Sequence, residues 1–141
     1  MSKPRVFVSR IIPAAGLDLV KRACDSEVWP ERLPPAREVM LEKVRGVDGL
    51  LCLLTDRIDG DLMDAAGSQL RVISQIAVGY DNIDLAAARQ RGIPVGHTPG
   101  VLTEATADLA FTLLLSGARR IVEGMQYIRD GKWDTWEPET L

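Results

Sequence analysis

Hydrophobic positions along the chain fall into short apolar runs separated by stretches of helical periodicity. Val6-Phe7-Val8 reads as a first strand, and Ala14 to Ala23 as a helix with Pro13 at its start and Leu17, Val20 and Lys21 at helical spacing. Glu27-Val28-Trp29 is a weaker second strand. Pro34-Pro35 opens a second helix, which carries Val39, Met40 and Val44 as far as Gly46. Leu50-Leu51-Cys52-Leu53-Leu54 is apolar at every position, which predicts a third strand buried on both faces, as in a parallel sheet covered by helices. Asp59 to Ala66 is a short helix ended by Gly67, and Val72 to Ile76 a fourth strand. Asp84 to Arg91 is a helix capped by Asn82 or Asp84 and stopped by Gly92. Ile93-Pro94-Val95 reads as a fifth strand, and its internal proline points to a sheet edge.

Such alternation predicts an α/β fold with a doubly wound parallel sheet. The flavodoxin-like, five-stranded order 2-1-3-4-5 suits the count and the proline in the last strand. The pattern changes at Val101. From there to Ile121 the spacing predicts one long helix, apolar nearly all round over Leu109 to Leu115, which expects to be enclosed. A further helix over Val122 to Asp130 stops at Gly131, and the tail Trp133 to Pro138 is irregular.

Composition narrows the function classes. The 141 residues are 46% hydrophobic and 26% charged, which is globular and not disordered. The net charge is −3 with no basic block, which argues against nucleic acid as a partner. The longest apolar run is far too short to span a bilayer, so no membrane is expected. Met1-Ser2-Lys3-Pro4-Arg5 leads straight into the first strand without a secretory apolar segment. Cys24 and Cys52 have no metal spacing, and Cys52 reads as a reduced core residue, so the expected location is cytoplasmic. One histidine, His97, cannot make a two-histidine metal site, and no metal is expected.

In an open α/β sheet, ligands bind beyond the carboxyl ends of the strands. That rule nominates Ser9-Arg10, Thr55-Asp56, Val78 to Asp81 and Thr98 to Gly100. At Gly79 a glycine lets a ligand approach the backbone, and turn N–H groups hold anions. The competing reading is that Gly79 simply lets a turn take positive φ. His97 reads as a rim residue. Glu104 and Asp108, four apart, suit the dipole at a helix N-terminus better than an acid/base pair. None of the twelve glycines are two apart, so there is no glycine-rich dinucleotide loop. A phosphoacceptor receiver would need an acidic pair after the first strand, and a flavin-phosphate site a Ser/Thr/Gly-rich loop there; Ser9-Arg10-Ile11-Ile12-Pro13 is neither.

Three stretches together, Gly49 to Asp56, Ala77 to Asp84 and Thr98 to Ala110, resemble the D-isomer-specific 2-hydroxyacid dehydrogenases. Within that family the nearest likeness is to glyoxylate/hydroxypyruvate reductases, which Gly131-Lys132-Trp133 and Trp136-Glu137-Pro138 also resemble. The resemblance implies that residues 1–100 form a substrate-binding domain. It implies that 101–141 hold the first helices of a Rossmann coenzyme and dimerisation domain, cut short before its glycine-rich loop and before the family's catalytic Arg, Glu and His. The chain is thus expected to be the N-terminal portion of an oxidoreductase that reduces glyoxylate or hydroxypyruvate with NAD(P)H, without catalytic residues or turnover of its own. By the same resemblance the backbone of Val78 and Gly79 would hold the carboxylate of a small 2-oxo acid, Leu53 would line the substrate pocket, and Val78 and Thr106 would meet the nicotinamide of NAD(P). A homodimer through residues 101–130 is implied. Phosphoglycerate dehydrogenases resemble the chain less, since they carry Arg where Gln75 stands and an Asn-Ser type sequence where Leu102-Thr103 stands; Gln75 points to an unphosphorylated acid. The alternative is a non-catalytic binding or dimerisation module of the same fold.

Overall fold

In a computed structural model, which describes residues 2–136 and 138, strands and helices alternate as the periodicity predicts. They run β1 (Arg5–Val8), α1 (Ala14–Ala23), β2 (Asp25–Val28), α2 (Arg37–Lys43), β3 (Gly49–Cys52), α3 (Gly60–Ala66), β4 (Val72–Gln75), α4 (Leu85–Gln90) and β5 (Val95–Gly96), followed by α5 (Thr103–Ala118) and α6 (Ile121–Arg129). All five strands are parallel, in the expected order β2-β1-β3-β4-β5. The chain divides into two compact units, one ending at Pro99 and the other starting at Gly100. No helix among the described residues is long and apolar enough to cross a membrane.

The register explains the core of the first unit. Phe7, Leu50 and Ile73 lie side by side across β1, β3 and β4, with Val95 beside Ile73 on β5. Successive strand residues point to opposite faces, so these side chains share one face with Cys52 and Gln75. Met40 from α2, Leu62, Met63 and Ala66 from α3, and Ala87 and Ala88 from α4 close over them. Full burial of each large apolar side chain contributes roughly 1.5–3 kcal/mol. The opposite face is less covered. Val8 is fully buried, but its register neighbours Leu51 and Ser74 are half-buried and Val72 is exposed. The third strand itself is covered on both faces as expected, Leu50 and Cys52 buried on one and Gly49 buried with Leu51 half-buried on the other, although α1 contributes no buried residue there.

Element ends follow local chemistry. Asp59 caps α3 by accepting the Leu62 N–H at 3.1 Å, and also pairs with Arg37 of α2. Burial pushes the Asp59 carboxyl up, but the Arg37 hydrogen bond, the Leu62 N–H and the charges of Arg37 and Arg57 outweigh it and hold it below its usual range. Asp84, and not Asn82, caps α4, accepting the Ala87 N–H at 2.9 Å. Gly67 and Gly92 take positive φ just beyond their helices, a backbone shape that side chains disfavour. Each expected strand is present but shifted at one or both ends, the second to Asp25–Val28 from Glu27–Trp29, and two of the shifts have a clear cause. The third strand ends at Cys52, because the Asp56 carboxylate draws the Leu53 N–H into a turn at 2.8 Å; Leu54 lies outside it, 58% exposed. The fifth strand begins only at Val95, since Pro94 has no N–H to give the ladder, although its carbonyl accepts from Ile73 at 3.0 Å.

The second unit differs more from expectation. The long helix starts at Thr103 and stops at Ala118, well short of Ile121. Arg120 takes φ 51°, left-handed for a non-glycine residue, and separates α5 from α6. Leu109, Phe111, Leu113, Leu114 and Leu115 are each 58% or more exposed, so the expected enclosure of α5 is not supplied by the described residues. The irregular tail is as expected from Trp133 to Trp136, with Glu137 outside the described residues.

Cys52 sits at 0% exposure, and burial, with the charge of Asp56 adding to it, pushes its thiol from an ordinary 9.0 up to about 12. Cys24 is only half-buried. A thiol reagent should therefore modify Cys24 in the native chain and reach Cys52 only on unfolding. Above pH 9 the unfolded chain loses a proton that the folded chain keeps until about 12, so stability should fall as pH rises through that window. Urea unfolding at stepped alkaline pH checks the sign, and Cys52→Ala should show a shallower fall despite lower stability at neutral pH.

Candidate functional site

Every segment that follows a strand converges on the carboxyl end of the sheet, where hydrogen bonds from buried polar side chains decide which backbone groups remain free. After β1 come Ser9, fully buried, and Arg10. The buried carboxylate of Asp56, in the turn after β3, accepts from the Ser9 hydroxyl and the Leu53 N–H, and Arg10 approaches it at 3.4 Å. Arg10 also donates to the Thr55 hydroxyl at 2.7 Å. Asp56 thus faces into the protein and organises the turn that carries Leu53. A buried carboxylate left unpaired would be costly, and here it has three partners.

Two side-chain amides tie that turn to the segment after β4. Gln75 and Asn82 pair reciprocally, Gln75 Nε2 donating to Asn82 Oδ1 at 2.9 Å and Asn82 Nδ2 to Gln75 Oε1 at 2.8 Å. Asn82 Nδ2 also donates to the carbonyls of Asp56 at 2.8 Å and Leu53 at 3.2 Å. The chain meets itself again where Ile58 bridges Ile83. The segments after β3 and β4 are therefore one hydrogen-bonded unit.

Within the segment after β4, three successive carbonyls are engaged. Ala77 O accepts the Thr98 N–H at 2.9 Å, Val78 O accepts from His97 Nδ1 at 2.9 Å, and Gly79 O accepts from Gln75 Nε2 at 2.6 Å. Among the described residues, the N–H groups of Val78 and Gly79 donate to no protein acceptor. Val78 is 38% exposed. The first two carbonyls face the same stretch, Thr98 and His97, so the two N–H groups turn together to the opposite side. Two adjacent N–H groups left free in this way are donors available to an anion.

Gly79 is not among the positive-φ glycines, which corrects the reading of it as a turn residue. A Cβ there would meet only Asp81 Oδ2, at an ordinary 3.7 Å. Neither backbone shape nor internal packing requires glycine at 79; a close approach from outside the chain would.

The structure brings Leu53, Val78 and Gly79 to one end of one sheet, with Leu53 half-buried. Thr106 lies exposed in the first turns of α5, in the second unit, as do Glu104 and Asp108. Sequence reasoning missed the role of Asn82, weighed only as a helix cap. It gave Gln75 a direct part in substrate choice, whereas the Gln75 side chain is buried and committed to Gly79 and Asn82. A signal was present: a polar residue on the apolar face of a central strand needs a buried partner. Among the described residues no cluster of three His, Cys, Asp or Glu side chains could hold a metal.

Comparison with known proteins shows what the chain is similar to. The family described as D-isomer specific 2-hydroxyacid dehydrogenase, catalytic domain, matches residues 6–135. A glyoxylate reductase of Korarchaeum cryptofilum is 50% identical over 137 residues, covering 96% of this chain and 41% of the relative. One of Thermofilum pendens is 51% identical over 143 residues, covering all of this chain and 42% of the relative. The crystal structure of the TT0316 protein of Thermus thermophilus superposes with a TM-score of 0.85 at 49% identity, covering 96% of this chain and 43% of that one. The chain spans about two fifths of the length of the curated relatives it matches.

Removing the Asn82 side chain would leave the Asp56 carbonyl without a donor and Gln75 Oε1 with only the weak Cys52 Sγ–H, while the Leu53 carbonyl would keep the Asp56 N–H. Each unsatisfied buried group costs about 1–3 kcal/mol where water cannot reach it. Asn82→Ala is expected to lose about 3 kcal/mol of stability in urea unfolding. Asp84→Ala, which removes only a helix cap, should lose about 1 kcal/mol.

Proposed function

The chain belongs to the D-isomer-specific 2-hydroxyacid dehydrogenases, and from that premise we propose that it is the substrate-binding part of a glyoxylate/hydroxypyruvate reductase. The observation that carries this reading is the pair of unpartnered N–H groups at Val78 and Gly79, with the carbonyls of their peptide units tied back. They suit the carboxylate of a small 2-oxo acid. The missing Cβ of Gly79 leaves room for the carboxylate to reach the backbone. Leu53, whose carbonyl accepts from Asn82, would give the substrate an apolar wall. The committed amide of Gln75 offers no cation for a phosphate, which supports an unphosphorylated substrate.

NAD(P)H, when bound to the complete enzyme, supplies the hydride. By the family resemblance its nicotinamide end would meet Val78 of the first unit and Thr106 of the second, and each of these residues is exposed in its own unit. No glycine pair two apart is present to cradle a pyrophosphate, so the cofactor would not bind this chain tightly. On this reading the chain holds and orients the oxo acid, while proton transfer and carbonyl polarisation fall to residues outside these 141. Two free cysteines fit a cytoplasmic enzyme.

The second unit carries the partner reading. Exposed Leu109, Phe111 and Leu113 to Leu115 on α5, with Ile121, Met125 and Ile128 on α6, form a surface that each copy could cover on another. Each such side chain left in water forgoes roughly 1.5–3 kcal/mol. We assign residues 101–130 to a two-fold homodimer contact. The same surface favours the second reading, a non-catalytic dimerisation module, and activity separates the two.

The chain alone is expected not to oxidise NAD(P)H with glyoxylate or hydroxypyruvate. Grafted in place of the matching segment of the Korarchaeum cryptofilum enzyme, it should restore turnover; an inactive, well-folded graft would favour the non-catalytic module. In the active graft, Gly79→Val should raise KM for the oxo acid at least about tenfold, equivalent to about 1.4 kcal/mol. Unchanged kinetics would remove Gly79 from the site. Light scattering of the chain at micromolar concentration should report a dimer or larger species, and Phe111→Lys should shift it toward monomer.

A further inference from the structure

A peptide unit is planar and trans, so its C=O and N–H point in opposite directions. Fixing the carbonyl of one residue therefore fixes the N–H of the next. The described residues contain no cis peptide bond, and both N–H groups of the carboxylate site are set in this way. The Thr98 N–H, on Ala77 O, sets the Val78 N–H. His97 Nδ1, on Val78 O, sets the Gly79 N–H. The first tie is backbone and survives almost any residue at 98. The second hangs on one side chain.

We propose that His97 is a positioning residue: by holding the Val78 carbonyl it aims the Gly79 N–H at the carboxylate of the substrate. The inference rests on the oxo-acid reading of the site and adds to it the residue that orients one of its two donors. His97 lies just beyond β5, exposed, so its ring is not there to fill the core. Tyr80 stands edge-on to it, with ring centroids 5.2 Å apart and planes at 80°, and limits its rotation. Because a carbonyl only accepts, the neutral ring must carry its proton on Nδ1, the tautomer that free histidine disfavours. Without the bond, the peptide between Val78 and Gly79 is held only from its neighbours, by Thr98 on one side and by Gln75 on the other.

The chain contains a single histidine, so its imidazole nitrogens can be read without ambiguity. A long-range proton–nitrogen spectrum of the 141-residue chain, recorded with the ring neutral, should show a protonated Nδ1 and a bare Nε2. A dominant Nε2–H tautomer would overturn the proposal. The kinetic arm uses the graft described above. His97→Ala should raise KM for glyoxylate about tenfold with kcat within about twofold, because the Gly79 N–H holds the carboxylate equally in ground and transition states. His97→Asn places an amide N–H close to where Nδ1 stands and should return KM to within about threefold of the parent. His97→Asp puts an acceptor against the carbonyl and should be no better than alanine. Equal KM for alanine and parent, or equal impairment by Asn and Asp, refutes the positioning role while leaving the carboxylate site standing. A parent graft that does not reduce glyoxylate sinks the site reading and the proposal with it, whatever the tautomer. Urea unfolding of each variant, expected close to the parent, separates misfolding from misplacement.

Discussion

Two carboxamides at the end of a parallel sheet, Gln75 buried and Asn82 half-buried, govern what the rest of this molecule can do. Gln75 and Asn82 satisfy each other, and the one N–H left on each reaches carbonyls of two different loops, that of Gln75 the Gly79 carbonyl and that of Asn82 shared between Asp56 at 2.8 Å and Leu53 at 3.2 Å. In a site shielded from water such a network is stable only when complete. That condition turns two loops, which would otherwise move independently, into a single platform. Asp56 does the same one step further toward the sheet edge, drawing Ser9, Arg10 and Leu53 onto one carboxylate. The apolar core beneath fixes the strands, but the polar layer above it fixes where the backbone donors face.

The sheet was largely legible from side-chain pattern alone. The expected helix over Ala14–Ala23 matches α1, and the strand order follows from five alternating elements with a proline in the last. Errors arose where the decisive group was not apolar. Nothing in the run Leu50 to Leu54 shows that Asp56 reaches back to end the strand. Nothing in the apolar stretch before Ile121 shows that the pair Arg119-Arg120 breaks the helix through a left-handed backbone. Hydrophobic period reports which face is buried; it is silent about a carboxylate capping a turn three residues away.

For the site, the position was legible and the reason was not. Strand ends and family likeness point to Val78 and Gly79, yet the choice of glycine there cannot be explained from spacing. In the fold its φ is ordinary and its flank is open, which leaves an approaching group as the reason for a missing side chain. Gln75 shows the converse. Its place in the sequence suggests a direct contact with substrate, while its buried amide works on the loop instead. Which side chain faces the ligand and which faces the loop depends on hydrogen bonds between residues far apart in sequence.

The strand order also constrains how the molecule comes into being. β1, made before the other four strands, ends up inside the sheet, paired with β2 on one side and β3 on the other. Val6 must therefore wait for Gly49 before its second edge is closed. During synthesis Phe7 and Val8 stay exposed until more than forty further residues have emerged. The polar platform is later still, since Gln75 has no partner until Asn82 follows it. A nascent chain of this kind passes through an interval with an open strand edge, and an open edge is where pairing with another chain begins.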